Sequence, residues 1–62
     1  MRIKLIQNIK RIDGSWLEVG AEFDALDDEP VGPPIDGKPG FCSIATGDTK
    51  ERVYSLEFDV LE

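Results

Sequence analysis

Apolar and polar residues alternate most cleanly between Leu17 and Ala25. Leu17, Val19, Ala21, Phe23 and Ala25 are separated by Glu18, Gly20, Glu22 and Asp24. A period of two places one set on each face of a β-strand. Gly20 interrupts the run at its middle, where glycine marks a bulge or a tight turn. The pattern therefore predicts a bend at Val19-Gly20 and a strand over Ala21–Leu26. Trp16, the only tryptophan, stands just before it.

The same reading extends to both sides. Over residues 2–9, Ile3, Leu5 and Ile9 share one parity and Arg2, Lys4 and Asn8 the other, which predicts a first strand. Ile3, Ile6, Ile9 and Ile12 also recur every third residue, as on a short helix. β-Branching and the lack of an N-cap before Ile3 favour the strand. Lys10–Ser15 is a connection with Asp13-Gly14 as its turn. Asp27-Asp28-Glu29-Pro30 ends the strand that precedes it. Residues 30–40 hold all four prolines and three of the six glycines. They read as one long loop with turns at Asp36-Gly37 and Pro39-Gly40. Phe41–Ala45 predicts a strand with Cys42 and Ile44 on the more buried face. Thr46-Gly47-Asp48-Thr49 is a hairpin turn, and Glu51–Tyr54 is the returning strand. Ser55-Leu56-Glu57 forms one helical turn. Phe58–Leu61 closes the chain as a strand with Phe58 and Val60 on one face. Five short strands without a long helix predict an all-β sandwich or barrel.

Length sharpens this picture. Sixty-two residues make a single domain, 1–62. A chain of this size buries only roughly 60% of the surface its unfolded form exposes. One cysteine rules out an internal disulfide, and the absence of histidine removes the commonest zinc arrangements and the usual base for a serine nucleophile. Cys42 has no basic neighbour in sequence and reads as an inert core thiol. The carboxylates Asp24, Asp27, Asp28 and Glu29 lack the spacing of a calcium loop. No catalytic residue, metal ligand or cofactor is therefore assigned, and the chain is expected not to be an enzyme. Nor does any run resemble a signal peptide or reach transmembrane length, so the expected location is the cytoplasm.

The net charge of −6 is unevenly placed. Arg2, Lys4, Lys10 and Arg11 make the first dozen residues basic, whereas Asp13 to Asp36 holds eight acids and no base. The acid excess argues against direct nucleic-acid binding. Pairing of a basic strand with an acidic one explains the asymmetry without a ligand.

Trp16-Leu17-Glu18-Val19-Gly20-Ala21-Glu22-Phe23-Asp24-Ala25-Leu26 resembles the diverging turn and following strand of Src-homology-3-like (SH3-like) barrels. The turn at Thr46–Lys50 resembles their distal hairpin, and Ser55-Leu56-Glu57 followed by Phe58–Leu61 their helical turn and last strand. Met1-Arg2-Ile3-Lys4-Leu5-Ile6 and Leu56-Glu57-Phe58-Asp59-Val60-Leu61-Glu62 resemble the starts and ends of small barrels encoded by bacteriophages and prophages. The resemblance implies a small five-stranded SH3-like barrel with one long Pro/Gly-rich loop, and for a phage protein the host cytoplasm. It also implies that the first and last strands are neighbours, with Arg2 and Lys4 near Glu57 and Asp59. Residues 30–40 have no counterpart in that pattern. Residues 7–15 carry no aromatic, so recognition of proline-rich peptides is not carried over, and Pro30-Val31-Gly32-Pro33-Pro34 reads as loop.

Two functions fit these residues. One is a small interaction module that binds a protein partner, host-derived for a phage protein, or a second copy of itself. Its candidate surface is Trp16, the acids Asp24, Asp27, Asp28 and Glu29, and Pro33 and Pro34. The other is an acidic mimic of nucleic acid that inhibits a host or defence nucleoprotein, presenting Glu18, Glu22, Asp24, Asp27, Asp28 and Glu29 in place of phosphates. Neither requires a membrane.

Overall fold

A computed structural model describes residues 1–61. The chain is all-β, with strands β1 (Arg2–Leu5), β2 (Ile9–Lys10), β3 (Trp16–Leu17), β4 (Glu22–Asp24), β5 (Phe41–Thr46), β6 (Thr49–Tyr54) and β7 (Phe58–Val60). A 3-10 turn, Ser55–Glu57, precedes β7. None of these elements is a helix long and apolar enough to cross a membrane.

The ladders form three small antiparallel sheets: β4-β1-β7, β2-β3 and β5-β6. A bridge between Ala25 and Ile44 carries the chain of pairings from β4 onto β5, reinforced by the Leu26 N–H donating to the Ser43 carbonyl at 2.9 Å. Among the described residues no ladder closes the sheets into a ring.

The core follows strand parity. Ile3 and Leu5 of β1, Cys42 and Ile44 of β5, Val53 of β6 and Phe58 of β7 are fully buried, joined by Ile9 and Ala25. Leu17, Ala21 and Phe23 pack against them. Cys42 and Ile44 thus face inward as their parity predicts, and burial pushes the Cys42 thiol pKa up. Ser43 is also buried, next to the Leu26 hydrogen bond.

The predicted first strand is split. β1 stops at Leu5, and Ile9 belongs to β2. The intervening residues bond through side chains: the Gln7 amide donates to the Leu56 carbonyl at 2.8 Å, and Asn8 Oδ1 accepts the Val19 N–H at 2.8 Å. Trp16-Leu17, expected only to lead into a turn, pairs with β2 in the register Ile9–Leu17 and Lys10–Trp16. The described residues therefore form seven strands where the alternation predicts five. The bend falls where Gly20 placed it. Gly20 has φ +94°, a region that side-chain-bearing residues enter only at a cost. Its N–H donates to the Leu5 carbonyl, and the Leu5 N–H to the Ala21 carbonyl, each at 2.8 Å.

The Pro/Gly-rich loop packs onto β5. The Gly32 N–H donates to the Phe41 carbonyl at 3.0 Å. A Cβ at Gly32 would lie 2.5 Å from a Phe41 ring carbon, so only glycine permits this approach. Asp36-Gly37 forms the expected turn, whereas Pro39-Gly40 makes a bend that ends with Gly40 buried against the Pro33 carbonyl.

Candidate functional site

The β2–β3 hairpin has two chemically different faces. Ile9 and Leu17 point to the core, and Arg11 is half-buried beside them. Lys10 and Trp16 stand opposite each other on the outer face. Ile12, two residues after Lys10, is at the tip. Ile12 is 92% exposed and Trp16 is 58% exposed. Val19, just after β3, is exposed as well.

Local chemistry explains why the tip is ordered. The Gly14 N–H donates to the Arg11 carbonyl at 3.0 Å, and the Arg11 N–H to the Ser15 carbonyl at 2.7 Å. Asp13 Oδ1 accepts both the Ser15 N–H at 2.9 Å and the Ser15 hydroxyl at 2.6 Å. Those bonds, the hydroxyl first, hold the Asp13 carboxyl pKa below the ordinary range, and the nearby Arg11 guanidinium adds to the effect.

Arg11 ties this tip to the far hairpin. Its Nη2 donates to the Thr46 carbonyl at 3.0 Å and to the Thr49 hydroxyl at 3.2 Å. Its Nε lies 3.8 Å from Glu51 Oε1. Both of those atoms are buried and without a hydrogen bond, so the pair is held by charge alone. The outer face, with Lys10 and Trp16, thus sits on a hairpin braced from beneath.

The residues singled out in the sequence fall in three places. Trp16 is on the outer face of β3. Asp24 ends β4, with its carboxylate 3.2 Å from Arg2 Nη1. Asp27 and Asp28 form an exposed turn, and Glu29 reaches Lys50 on β6 at 3.6 Å. Pro33 and Pro34 are exposed on the loop beyond. Among the described residues no hydrogen bond or ion pair joins Trp16 to the acids or to the prolines.

The ion pairs also redistribute the acidic run. Arg2 faces both Glu22, at 3.7 Å, and Asp24, so a basic strand lies against an acidic one as charge asymmetry predicts. Lys4 stands opposite Asp59 in the ladder, as the resemblance implies. Arg2 and Glu57 depart from it: Arg2 turns to β4, and the Glu57 carboxylate accepts the Tyr54 N–H at 2.8 Å. Of the six acids that a phosphate mimic would present, Glu22, Asp24 and Glu29 are in ion pairs within the chain.

Two site residues escape a reading of periodicity. Ile12 fits a helical spacing, yet its place before Asp13-Gly14 puts it on a turn tip. Arg11 has no sequence signal, because its partners are 35 and 38 residues away. Comparison with protein families, with curated proteins and with solved structures returns no match.

Proposed function

We propose that the chain is a small, non-enzymatic interaction module that binds a protein partner through the outer face of the β2–β3 hairpin. The observation that carries this reading is the pair of exposed apolar residues, Ile12 and Trp16, on a hairpin braced by Arg11. A β-branched residue almost wholly exposed at a turn tip stabilises nothing within the fold. Tryptophan is among the residues most enriched where binding energy concentrates. Lys10 and Glu18 flank Trp16 and supply a polar rim.

The pairing order β7-β1-β4, bridged to β5-β6, with a 3-10 turn before the last strand, supports an SH3-like barrel as the finer description of the fold. In that description β2–β3 is the long loop after the first strand. The similarity of both chain ends to small phage and prophage barrels makes a host protein the favoured partner and the host cytoplasm its setting. The nucleic-acid mimic is the weaker reading, since internal pairs neutralise half of its acids.

The test is affinity capture from host lysate with wild type, Ile12→Ser, Trp16→Ala and an Asp27→Asn/Asp28→Asn double variant, each checked for an unchanged unfolding midpoint. A protein retained by wild type and the double variant, and lost with both hairpin variants, is the expected result. Retention that survives the hairpin changes but not loss of the acids would sink this reading in favour of the mimic.

A further inference from the structure

The long Pro/Gly-rich loop has an internal hairpin of its own. Ile35 and Lys38 exchange backbone hydrogen bonds of 2.7 and 3.1 Å across Asp36-Gly37. Asp36 and Gly37 both have positive φ, +52° and +82°, the arrangement of a type I′ turn. Lys38 leaves this turn toward β7. Its ammonium donates to the Phe58 carbonyl, lies 3.4 Å from Asp59 Oδ1, and sits 5.4 Å from the centre of the Phe58 ring. β7 thus carries a cation site made of a carbonyl, a carboxylate and a ring face, and the chain fills it with a side chain of its own.

This site lies on an open strand edge. β7 is the end strand of its sheet. Glu57 and Leu61 bond β1 through the Ile6 N–H and the Arg2 carbonyl. Alternation in an antiparallel ladder then turns the backbone groups of Phe58 and Val60 away from β1. Among the described residues no hydrogen bond outside the ladders reaches the Val60 N–H or carbonyl. Such an edge is a template for another strand. Charge decides which kind. Asp59 is exposed beside the edge, and the chain has a net charge of −6. An acidic strand, a second copy of β7 included, sets carboxylate against carboxylate there, whereas a basic one is attracted.

We propose that the β7 edge binds an extended segment of a partner protein in which basic and apolar residues alternate, and that Lys38 is its built-in competitor. A backbone N–H of the segment takes the Phe58 carbonyl, a lysine or arginine takes Asp59, and further backbone groups pair with Val60. Both polar contacts of Lys38 are then replaced in kind, and its ammonium returns to water. Strand parity fixes the alternation: residues on the Asp59 face are basic, and those on the face of the partly exposed Val60 are apolar. While Lys38 is in place the edge is not competent to bind, so Lys38 weakens the apparent affinity for the segment. The edge is independent of the partner face on β2–β3, which lies on other strands.

The probe is a capped peptide of alternating valine and lysine, with a valine–glutamate peptide as its counterpart. Titration calorimetry and amide hydrogen exchange at Val60 follow its binding to wild type, Lys38→Ala, Lys38→Met, Asp59→Asn, Lys50→Ala and Asp27→Asn. Lys38→Ala is expected to bind the lysine peptide roughly tenfold more tightly than wild type, and Asp59→Asn roughly tenfold more weakly. Binding protects the Val60 amide. Lys50→Ala and Asp27→Asn make the same changes of net charge away from the edge and bind as wild type does. Lys38→Met keeps the apolar stem over Phe58 without the charge, and is read in place of the alanine variant if that one does not fold. Neutral Lys38 variants that bind the lysine peptide no better than wild type, or that associate with themselves instead, overturn the proposal. So do equal binding of the glutamate peptide, affinity changes shared by the distant charge variants, and a Val60 amide left unprotected in the complex.

Discussion

The β2–β3 and β5–β6 hairpins are held in opposite ways. β5–β6 has six residues in each strand and a two-residue Gly47-Asp48 turn, and it sends Cys42, Ile44 and Val53 into the core. Its backbone ladder and buried faces specify it. β2–β3 has two residues in each strand. Its inner face adds Ile9 and Leu17 to the core, but side chains do much of the holding: Asn8 on Val19, Asp13 on Ser15, and Arg11 across to Thr46, Thr49 and Glu51. The exposed side of β5–β6 is mostly polar or charged, at Thr49, Lys50 and Arg52, beside Tyr54. A short hairpin braced by polar bonds keeps an outer face open, and there the exposed Ile12 and Trp16 lie.

The largest effect expected from this contrast is in the long hairpin. Ile44→Ala removes a fully buried side chain at the bridge to Ala25 and should cost about 2–5 kcal/mol. For so small a domain that is a large share of its stability, and urea unfolding would show most of it lost. A loss near the size of a surface change would mean that the core is not centred on β5.

Arg11→Ala should do less overall and more locally. It removes the brace and leaves the Glu51 carboxylate buried without a counter-charge, at a cost of roughly 1–3 kcal/mol. Hydrogen exchange should rise at the Arg11 and Val19 amides while those of Cys42 and Val53 stay protected. Uniform loss of protection across both hairpins would erase the distinction between them.

The smallest effect is at Ser15. Ser15→Ala removes the hydroxyl bond that does most to hold the Asp13 pKa down, so that pKa should rise toward the ordinary carboxylate range of about 4. In wild type the depressed pKa contributes stability above the ordinary range, and that contribution is lost as the pH falls through the folded value. The stability gap between wild type and variant should therefore be present at neutral pH and shrink on acidification. An NMR titration of the Asp13 carboxyl that is the same in both proteins would remove Asp13 from the bracing of the tip.

Much of the fold was legible along the chain. Period-two alternation located β4 and β5, parity sent Cys42 and Ile44 inward, and Gly20 marked the bend at which its φ is +94°. Asp36-Gly37 and Gly47-Asp48 marked turns because glycine and aspartate are turn residues, and φ is positive at Asp36, Gly37 and Gly47. The split of the first strand was not legible. Ile9 continues the parity of Ile3 and Leu5, and the Gln7 and Asn8 bonds that break the strand reach Leu56 and Val19. Of the candidate site, Trp16 was legible as the lone tryptophan beside the bend. Its exposure was not, since the same residue could have capped the core.

The amino-acid sequence by itself determined the local choices: which stretches extend, where the chain turns, and which parity is apolar. These depend on the backbone freedom of glycine, the rigidity of proline and the hydrophobicity of neighbours, all properties of adjacent residues. Only the tertiary structure decided the long-range pairings. It set Arg2 against Glu22 and Asp24, Glu29 against Lys50, Arg11 beneath the far hairpin and Lys38 on the edge of β7. A charged side chain has many partners of comparable Coulombic worth, and chain topology selects among them by bringing one within reach. The stretch around Gly20 illustrates both sides. The sequence placed the bend at Gly20, and the fold decided that the Trp16 in front of it would pair with Lys10 and face outward.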